Sequence, residues 1–436
     1  MNKVSKIFQP LLITPKNAKI THTELTSKSQ KLMLEMGLIR SGSNGMFHLM
    51  PLLQKSVEKC ISLIDESMGE IGGQKMTMPT LTPSELWKKS GRYDTAATEL
   101  LKVIDRHGKE SVLSPTHEEA ITALLATISP VSYRSLPLLL YQITPKFRDE
   151  LKPRFGLLRT KEFLMKDLYT FDTTLDKAKE TYDIVNGSYE KLFHKLNVPF
   201  CKVSGDTGIM GGSLSHEYHF PAAIGEDSLL TCGKCSYSCN AELSKDSKNC
   251  PKCSSSDFRT TQGIEIAHSF VLEDKYTKSL KATYLMSNGK PSPLIMGCYG
   301  IGVTRLVAAA LEVLSSENEL RWPYKLAPFN ICLVPPKSGS KEETPEVKNL
   351  CEMLEREINN FAGKNFLVDD RTTFTIGKRL LEAKRMGYPF IIVVGEKSNS
   401  EKPLLEFHDL MENDKKMLEP NELLTHLKAK IKSFES

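Results

Sequence analysis

Apolar residues recur every three or four positions in several long stretches of the chain, with polar residues between them. This spacing places the apolar side chains on one face of a helix. It predicts helices over Thr26 to Arg40, Leu52 to Met68 and Thr174 to Leu196, and a more apolar helix from Gly302 to Leu314.

Shorter apolar or alternating runs between these helices predict strands. In chain order they cover Lys75 to Leu81, a strand-to-helix passage from Ser111 to Leu125, Leu138 to Arg148, Leu157 to Asp167, Ile264 to Leu272 and Ser292 to Met296. A turn-rich stretch around Pro153 and Gly156 separates the third from the fourth, so we expect those two strands to pair. The chain up to about residue 325 is therefore predicted to have an α+β fold.

The remainder of the chain, after Trp322-Pro323, has a different order of elements. Its patterns follow the order strand, helix, strand, helix, strand, strand, helix, and Thr344 with Pro345 is typical of a helix start. This order predicts a small α/β domain with a mainly parallel or mixed sheet. We therefore place one domain over residues 1–325 and a second over residues 326–436.

Composition narrows the class of protein only a little. Hydrophobic residues make up 40% and charged residues 25% of the 436 residues, as in an ordinary soluble globular protein. Because no apolar run approaches the ~18 residues of a membrane span, we expect no membrane partner. The net charge of +5 permits nucleic-acid binding without arguing for it.

The N-terminal segment is basic and carries no acidic residue before Glu24. Its lysines are Lys3, Lys6, Lys16 and Lys19, and its apolar residues at near-helical spacing are Val4, Ile7, Phe8, Leu11 and Leu12. An organelle transit sequence and an ordinary basic segment both agree with this pattern.

Cysteines crowd into the stretch from residue 232 to residue 253. Two Cys-x₂-Cys pairs are separated by fourteen residues: Cys232, Cys235, Cys250 and Cys253. This spacing suits tetrahedral zinc in a ribbon, although the gap is one residue shorter than usual. The alternative is a degenerate ribbon with free thiols. In either case we predict a small ribbon-like insertion over residues 226–262.

Candidate chemistry lies in the predicted strand pair. Arg148 ends the first strand of the pair and Glu150 follows it, while Arg159 and Phe163 lie within the second. Arginines there can neutralise the phosphates of ATP, a carboxylate can accept from the adenine amino group, and a phenylalanine can stack on the ring. Taken singly, the charged residues also fit surface ion pairs and Phe163 fits core packing.

A glycine-rich segment, Met296 to Arg305, leads into the apolar helix. Glycines let the backbone approach a ligand, and a helix N-terminus favours anions. The segment is neither a Walker P-loop nor a GxGxxG fingerprint, because Arg305 stands at the third glycine position. On its own it also fits a tight strand-to-helix turn.

Together these two segments resemble motifs 2 and 3 of the class II aminoacyl-tRNA synthetases, and Pro79 resembles the motif 1 proline of their dimer interface. Further segments are similar to prolyl-tRNA synthetases of the bacterial and mitochondrial type: Pro115-Thr116-His117-Glu118-Glu119, Pro153-Arg154-Phe155-Gly156, Gly211-Gly212-Ser213, Ser215-His216-Glu217 and Gly263 to His268. The resemblance implies a homodimer whose antiparallel-sheet catalytic domain is followed by an anticodon-binding domain.

The resemblance also implies roles for the matching residues. Arg148 and Arg305 would be catalytic. ATP, with Mg²⁺, would be held by Arg148, Glu150, Arg159, Phe163, Gly302 and Arg305. Proline would be bound by Thr116, Glu118, Arg148 and His268. Thr116 and Glu119 fit a helix-capping box as well, which is compatible with proline binding, and a lone histidine is often a core residue.

The implied reaction is activation of proline with ATP and its transfer to the 3′ end of proline tRNA. The anticodon would be bound by Asp370, Arg371, Lys378 and Arg379, although such a charge run also fits a solvated face. The implied location is the mitochondrial matrix, or the cytoplasm of a bacterium.

The chain departs from many bacterial relatives between Glu217 and Gly263, where a large editing domain is commonly inserted. The ribbon leaves no room for such a domain here. Ala267 and Glu273 replace glycines of the usual pattern, which affects details of the proline pocket. Two other hypotheses are a non-catalytic nucleic-acid-binding relative, disfavoured because Arg148, Arg159 and Arg305 are retained, and a threonine or serine ligase of the same class.

Overall fold

A computed structural model describes residues 2–11, 27–235, 237–244 and 249–435. The α-helices of this part of the chain are α1 (Lys28–Glu35), α2 (Pro51–Glu70), α3 (Ser84–Ser90), α4 (Arg92–Thr95), α5 (Glu118–Ile128), α6 (Leu175–Leu196), α7 (Lys275–Ser279), α8 (Val303–Leu314), α9 (Pro345–Ala362), α10 (Ile376–Met386) and α11 (Pro420–Glu435). The four helices expected from apolar spacing are thus confirmed, as α1, α2, α6 and α8.

The strands of the same residues are β1 (Asn2–Lys3), β2 (Ile39–Ser43), β3 (Met46–Leu49), β4 (Gln74–Lys75), β5 (Leu81–Pro83), β6 (Leu101–Ile104), β7 (Glu110–Leu113), β8 (Val131–Ser132), β9 (Leu138–Phe147), β10 (Glu162–Asp172), β11 (Cys201–Ser204), β12 (Leu214–Pro221), β13 (Asp227–Cys232), β14 (Ser238–Asn240), β15 (Phe258–Glu273), β16 (Thr283–Leu285), β17 (Pro291–Pro293), β18 (Ile295–Gly302), β19 (Ile331–Val334), β20 (Phe366–Val368), β21 (Phe390–Val393), β22 (Leu405–Asp409) and β23 (Asp414–Leu418).

The chain divides into two units. One unit takes the described parts of 1–40, 48–60 and 310–436, and the other takes 41–47 and 61–309. We call them the terminal unit and the central unit. The boundary expected between residues 325 and 326 stays a prediction.

A mainly antiparallel sheet forms the centre of the central unit. Its described strands follow the order β12-β11-β14-β13-β15-β18-β10-β9-β4. The expected pairing of β9 with β10 is confirmed, with Phe147 opposite Glu162 next to the loop that joins the two strands. Helix α6 covers β10, β15 and β18 and begins with Thr174, whose side chain caps the helix by accepting from the N–H of Lys177.

Some of the predictions for this unit need correction. The strand predicted over Leu157 to Asp167 begins only at Glu162 and extends to Asp172, because Gly156–Leu158 form a 3₁₀ turn. Lys75 to Leu81 is not one strand, because β4 ends at Lys75 and β5 begins only at Leu81. The glycine-rich segment is not a turn but most of β18, which lies between β10 and β15. A Cβ on Gly297 would lie 2.6 Å from the hydroxyl oxygens of Thr170 and Tyr299, so this glycine permits close packing within the sheet.

The terminal unit contains a mixed sheet in the order β1-β20-β19-β21-β22-β23. The first four strands run parallel and the last two antiparallel, as the sequence predicts for a mixed sheet. Helices α9 and α11 bury Val347, Leu354 and Leu423 against it. The sequence did not predict β23, because its first three residues, Asp414-Lys415-Lys416, are all charged and show no alternation of apolar and polar positions.

The basic N-terminal segment also belongs to this sheet. Strand β1 pairs with β20, and Val4–Lys6 form a single 3₁₀ turn with Val4 buried. The helical spacing seen from Val4 to Leu11 is therefore not realised as a continuous helix. Leu12, Lys16 and Lys19 lie outside the described residues.

Candidate active site

Arg148 follows directly after β9, where its backbone N–H donates to the carbonyl of Lys161 at 2.9 Å. Its guanidinium lies 5.3 Å from the centre of the Phe163 ring. Within the described chain its Nε is buried without a hydrogen-bond partner. Burial and the neighbouring Arg305 lower the pKa of Arg148. A half-buried, unpaired cation beside a second cation is a binding site for an anion.

Arg305 lies in the first turn of α8, directly after β18. Its Nε donates to the carbonyl of Leu158 at 2.9 Å and its Nη1 to the carbonyl of Glu265 at 3.1 Å. These two bonds fix the guanidinium. The carboxylate of Glu265 is more distant, with its Oε2 3.7 Å from Nη1 of Arg305. The sheet therefore brings Arg148 and Arg305 together, as the sequence predicts.

A cavity of about 260 Å³ lies beside the two arginines. We call it the outer cavity. Arg159 donates to Glu150 at 2.8 Å on its wall, so these two predicted residues also meet. Glu226, which sequence analysis missed, accepts from both Arg159 and Arg154. The wall thus combines exposed arginines with carboxylates, which suits a polyphosphate and an exocyclic amine.

A second cavity, of about 310 Å³, is continuous with the same arginines and is called the inner cavity. Thr116, Glu118, Phe163 and His268 line it. The Thr116 hydroxyl donates to the Glu118 carboxylate at 2.7 Å, and Cys298 donates to the same carboxylate at 2.9 Å. A small cavity with one buried carboxylate suits a small molecule that carries an amine.

The alternative interpretation of Thr116 and Glu119 as a capping box is wrong. Helix α5 begins at Glu118, and His117 stands at its N-cap position without a side-chain capping bond. The Thr116 hydroxyl is directed to Glu118, while Glu119 accepts from Ser90 and Arg92. Thr116 therefore lines the inner cavity, whereas Glu119 is held by Ser90 and Arg92.

Glu118 is ionised in this setting. Burial alone would raise the pKa of its carboxyl, but Arg92, Cys298 and Thr116 outweigh that effect and lower the pKa below its usual value. Arg92, in α4, was missed by sequence analysis because it stands 26 positions before Glu118 and no local pattern connects the two.

His268 is held on both sides of its ring. Nδ1 lies 2.9 Å from Glu265 Oε1, Nε2 lies 2.6 Å from the Ser215 hydroxyl, and the ring stacks on Phe270 at 3.9 Å. Burial raises the pKa of Glu265, but His268 and Arg305 outweigh it and hold the pKa far below its usual range. The imidazole therefore forms a rigid wall of the inner cavity.

A loop from Asp206 to Gly212 borders the inner cavity. Lys275 donates to the carbonyls of Ile209 and Met210, and Tyr276 donates to that of Met210. Gly212 has φ +97°, and a Cβ there would collide with the carbonyl oxygen of Val271. Only glycine fits this conformation, so the loop depends on that residue to stay near the cavity.

The four cysteines of the predicted ribbon meet in space. Their sulfur atoms all lie within 4.8 Å of one another. Cys232 and Cys253 are 3.6 Å apart and Cys235 and Cys250 are 3.5 Å apart, far beyond a disulfide bond length. Gly233 makes the first turn possible, because a Cβ there would collide with Asp257.

Of the predicted anticodon residues, Asp370 and Arg371 follow β20, and Lys378 and Arg379 lie in the first turn of α10. Arg379 is fully buried and donates to the carbonyls of Asp369 and Pro335. Arg371 is paired with Asp369 and Glu382, each at 2.7 Å. Asp370 accepts from the backbone and hydroxyl of Ser5. Lys378 is exposed and lies 3.7 Å above the exposed ring of Phe374.

Two family descriptions match the chain. Residues 101–314 match the class II tRNA synthetase core domain of the G, H, P, S and T enzymes, and residues 330–430 match the anticodon binding domain. The antiparallel sheet and the neighbouring Arg148 and Arg305 agree with these matches. The chain is therefore a class II aminoacyl-tRNA synthetase, an enzyme of the ligase class. The hypothesis of a non-catalytic relative is thereby rejected.

Relatives identify the family within that class. The human protein named probable mitochondrial proline–tRNA ligase is 48% identical over 401 residues, 91% of this chain and 84% of that protein. The proline–tRNA ligase of Ehrlichia chaffeensis is 37% identical over 94% of this chain and 97% of its own. The chain belongs to the prolyl-tRNA synthetase family.

Solved structures agree in fold. The prolyl-tRNA synthetase of Giardia lamblia in complex with prolyl-adenylate aligns with a TM-score of 0.78 at 16% identity, over 94% of this chain and 80% of that one. The Cryptosporidium parvum enzyme with halofuginone and AMPPNP aligns with a TM-score of 0.76 at 19% identity, over 93% and 75% of the two chains. At this identity they confirm the fold class alone. Among the residues with described structure, no helix has the length and apolar character that crossing a membrane requires.

Proposed function

We propose that the chain activates proline with ATP to give prolyl-adenylate and pyrophosphate, and then transfers proline to the 3′ end of proline tRNA. The observation that carries this proposal is the unpaired Arg148 beside Arg305, at the junction of the two cavities. The outer cavity would take ATP through Glu150 and Arg159, with Phe163 and Gly302 contributing from the adjoining wall of the inner cavity, and the inner cavity would take proline.

The first step needs positioning and charge stabilisation more than a protein base. A carboxylate oxygen of proline attacks the α-phosphorus of ATP, and pyrophosphate leaves. Arg148 lies between the cavities and would neutralise the charge that develops on the α-phosphate oxygens, while Arg305 supports the same phosphates. Phe163 would stack on the adenine ring.

In the second step the terminal ribose hydroxyl of the tRNA attacks the prolyl carbonyl and AMP leaves. Thr116 and Glu118 would hold the ring amine of proline throughout, because its two N–H groups suit a hydroxyl and a carboxylate. His268 would limit the size of the ring pocket. Asp227 and Glu265 line the outer cavity and would hold the Mg²⁺ that accompanies ATP and shields its phosphate charge.

The function is tested by ATP–pyrophosphate exchange with single amino acids. We expect exchange that depends on proline and not on threonine or serine, followed by charging of proline tRNA. Exchange driven by threonine or serine would instead support the other ligase hypothesis.

We also propose that Cys232, Cys235, Cys250 and Cys253 bind one structural zinc ion. Four thiolates around Zn²⁺ at ~2.3 Å place their sulfurs roughly 3.8 Å apart, close to the separations of 3.5 and 3.6 Å. The ion would fix the tip of the insertion, where few apolar side chains are available.

Elemental analysis of the purified protein is expected to give about one zinc per chain, because the four sulfurs complete a closed tetrahedral site. Cys250→Ser should lose the ion, whereas Cys201→Ser, outside the cluster on β11, should retain it. Equal zinc content in the two variants, or none in the unaltered protein, would favour a ribbon with free thiols.

For the anticodon we propose that Lys378 and Asp370 bind bases at the strand ends, with Arg371 and Arg379 holding this surface in shape. The exposed Phe374 adds a ring on which an unstacked base can lie. Sequence analysis missed Phe374, since a single aromatic residue in a loop has no distinguishing pattern.

Phe374→Ala is expected to lower the aminoacylation kcat/KM for proline tRNA about tenfold, since base stacking contributes roughly 1–3 kcal/mol per base. Proline-dependent exchange should stay unchanged, because all ATP and proline residues lie in the central unit. Lys432→Ala, exposed on α11, serves as the control. Unchanged charging by Phe374→Ala would remove this ring from the proposed surface.

Two further features are part of the proposal. Homodimerisation through the segment around Pro79 is supported by its exposed position and by the exposed apolar Leu124 and Ile128 on the nearby helix α5. A mitochondrial location is supported by the human, mouse and fission-yeast relatives, which are named mitochondrial.

A further inference from the structure

Two glutamates stand side by side at the start of α5, beneath the inner cavity. Glu118 and Glu119 are both buried, at 0% and 1% exposure. Two neighbouring carboxylates removed from water repel each other, and the usual result is that one of them takes up a proton. If one of these carboxylates is to accept from an amine in its charged form, the negative charge of the other must therefore be neutralised.

Arg92 supplies that compensation. Its Nη1 donates to Glu118 Oε2 at 3.1 Å and to Glu119 Oε1 at 3.2 Å. The guanidinium is itself buried, 4.8 Å from the Trp87 ring and 5.7 Å from the Tyr276 ring. One nitrogen thus bridges both acids, and the aromatic rings leave it little freedom to move.

The other cations near Glu118 are engaged elsewhere. Lys146 is paired with Asp167 at 2.7 Å, and Lys275 donates to the carbonyls of Ile209 and Met210. In the described part of the chain, Arg92 is the cation that forms an ion pair with Glu118. Its Nη2 also lies 3.2 Å from the Met210 sulfur, in the loop that borders the cavity.

We propose that Arg92 is a positioning residue for the amino acid: it neutralises Glu119 and fixes the Glu118 carboxylate so that Glu118 accepts from the ring amine of proline. Arg92 acts through Glu118 and through the Met210 loop. This inference rests on the proposed function, because it assumes that the inner cavity binds proline.

The test compares Arg92→Met with Arg92→Lys in proline-dependent ATP–pyrophosphate exchange. In Arg92→Met the acids share a proton, and we expect the KM for proline to rise about tenfold, as for roughly one pKa unit of lost charge stabilisation. The KM for ATP should change less than about twofold, since the described hydrogen bonds and ion pairs of Arg92 go to Glu118, Glu119 and Met210 and not to the ATP residues. Arg92→Lys keeps the charge and should be intermediate.

The double variant Arg92→Met/Glu119→Gln separates charge compensation from mere packing. Removing the surplus acid should restore much of the KM for proline if Arg92 acts by neutralising Glu119. A double variant that is no better than Arg92→Met would overturn the proposal, as would a wild-type KM in folded Arg92→Lys and Arg92→Met. If Arg92→Met does not fold, Glu119→Gln combined with Arg92→Lys provides the same comparison.

Arg106→Met, in an exposed turn, controls for the loss of an arginine elsewhere. If the proposed function itself is wrong, the unaltered protein will show no proline-dependent exchange, which distinguishes that case from a wrong role for Arg92.

Discussion

Arg148→Ala is expected to lower proline-dependent ATP–pyrophosphate exchange at least about 100-fold. Removing one donor that stabilises developing charge costs roughly 3–4 kcal/mol when the site excludes water. Arg148 is such a donor, because its guanidinium is half-buried, carries an unpaired Nε and lies next to Arg305. The effect should fall mainly on kcat, since the charge on the α-phosphate oxygens develops during the attack.

The stability of Arg148→Ala should change little, because its side chain forms no described ion pair and its loss relieves the repulsion from Arg305. Thermal unfolding measured beside the exchange assay distinguishes lost chemistry from lost structure. Arg106→Ala provides an exposed control. Exchange within about threefold of the unaltered protein, in a folded Arg148→Ala variant, would show that another group stabilises the α-phosphate.

Alanine attached to proline tRNA is expected to persist in the presence of this enzyme. Alanine is smaller than proline, so the inner cavity cannot exclude it sterically and can only withhold contacts. Each missing methylene is worth roughly 1–3 kcal/mol, which leaves an appreciable error rate. Clearing the error needs a second, hydrolytic site.

The segment where many bacterial relatives carry such a site is filled here by short elements. Between Glu217 and Gly263 the described chain forms β13, β14 and the four-cysteine cluster. The measurement is deacylation of alanyl-tRNA specific for proline, with mild base hydrolysis to confirm that the ester is present. Enzyme-dependent loss of alanine well above the spontaneous rate would reveal an editing centre elsewhere in the protein.

Local periodicity was sufficient for much of the fold. The helix predicted over Thr174 to Leu196 is observed as α6, and the helix start predicted at Thr344 with Pro345 is the start of α9. These elements satisfy their backbone groups internally, so spacing and capping residues identify them. The pairing of β9 with β10 was also predictable, since the strands are neighbours in the sequence and only residues 148–161 join them.

Elements that depend on distant partners were not predictable in this way. Strand β1 needs β20, which lies more than 360 positions along the chain, and the glycine-rich β18 is a strand only because β10 and β15 flank it. The same holds for the site. Motif resemblance indicated Arg148, Glu118 and His268, but Arg92 and Glu226 contribute through tertiary contacts that no spacing encodes.

The pairing of β1 with β20 also affects the order in which parts of this protein can fold during synthesis. Residues 2–3 leave the ribosome well before their partners at 367–368, which are synthesised later by about 20 seconds or more at roughly 5–20 residues per second. The central unit, residues 61–309, is complete well before that point. Strand β1 therefore has no strand partner during the time in which the catalytic sheet can already fold.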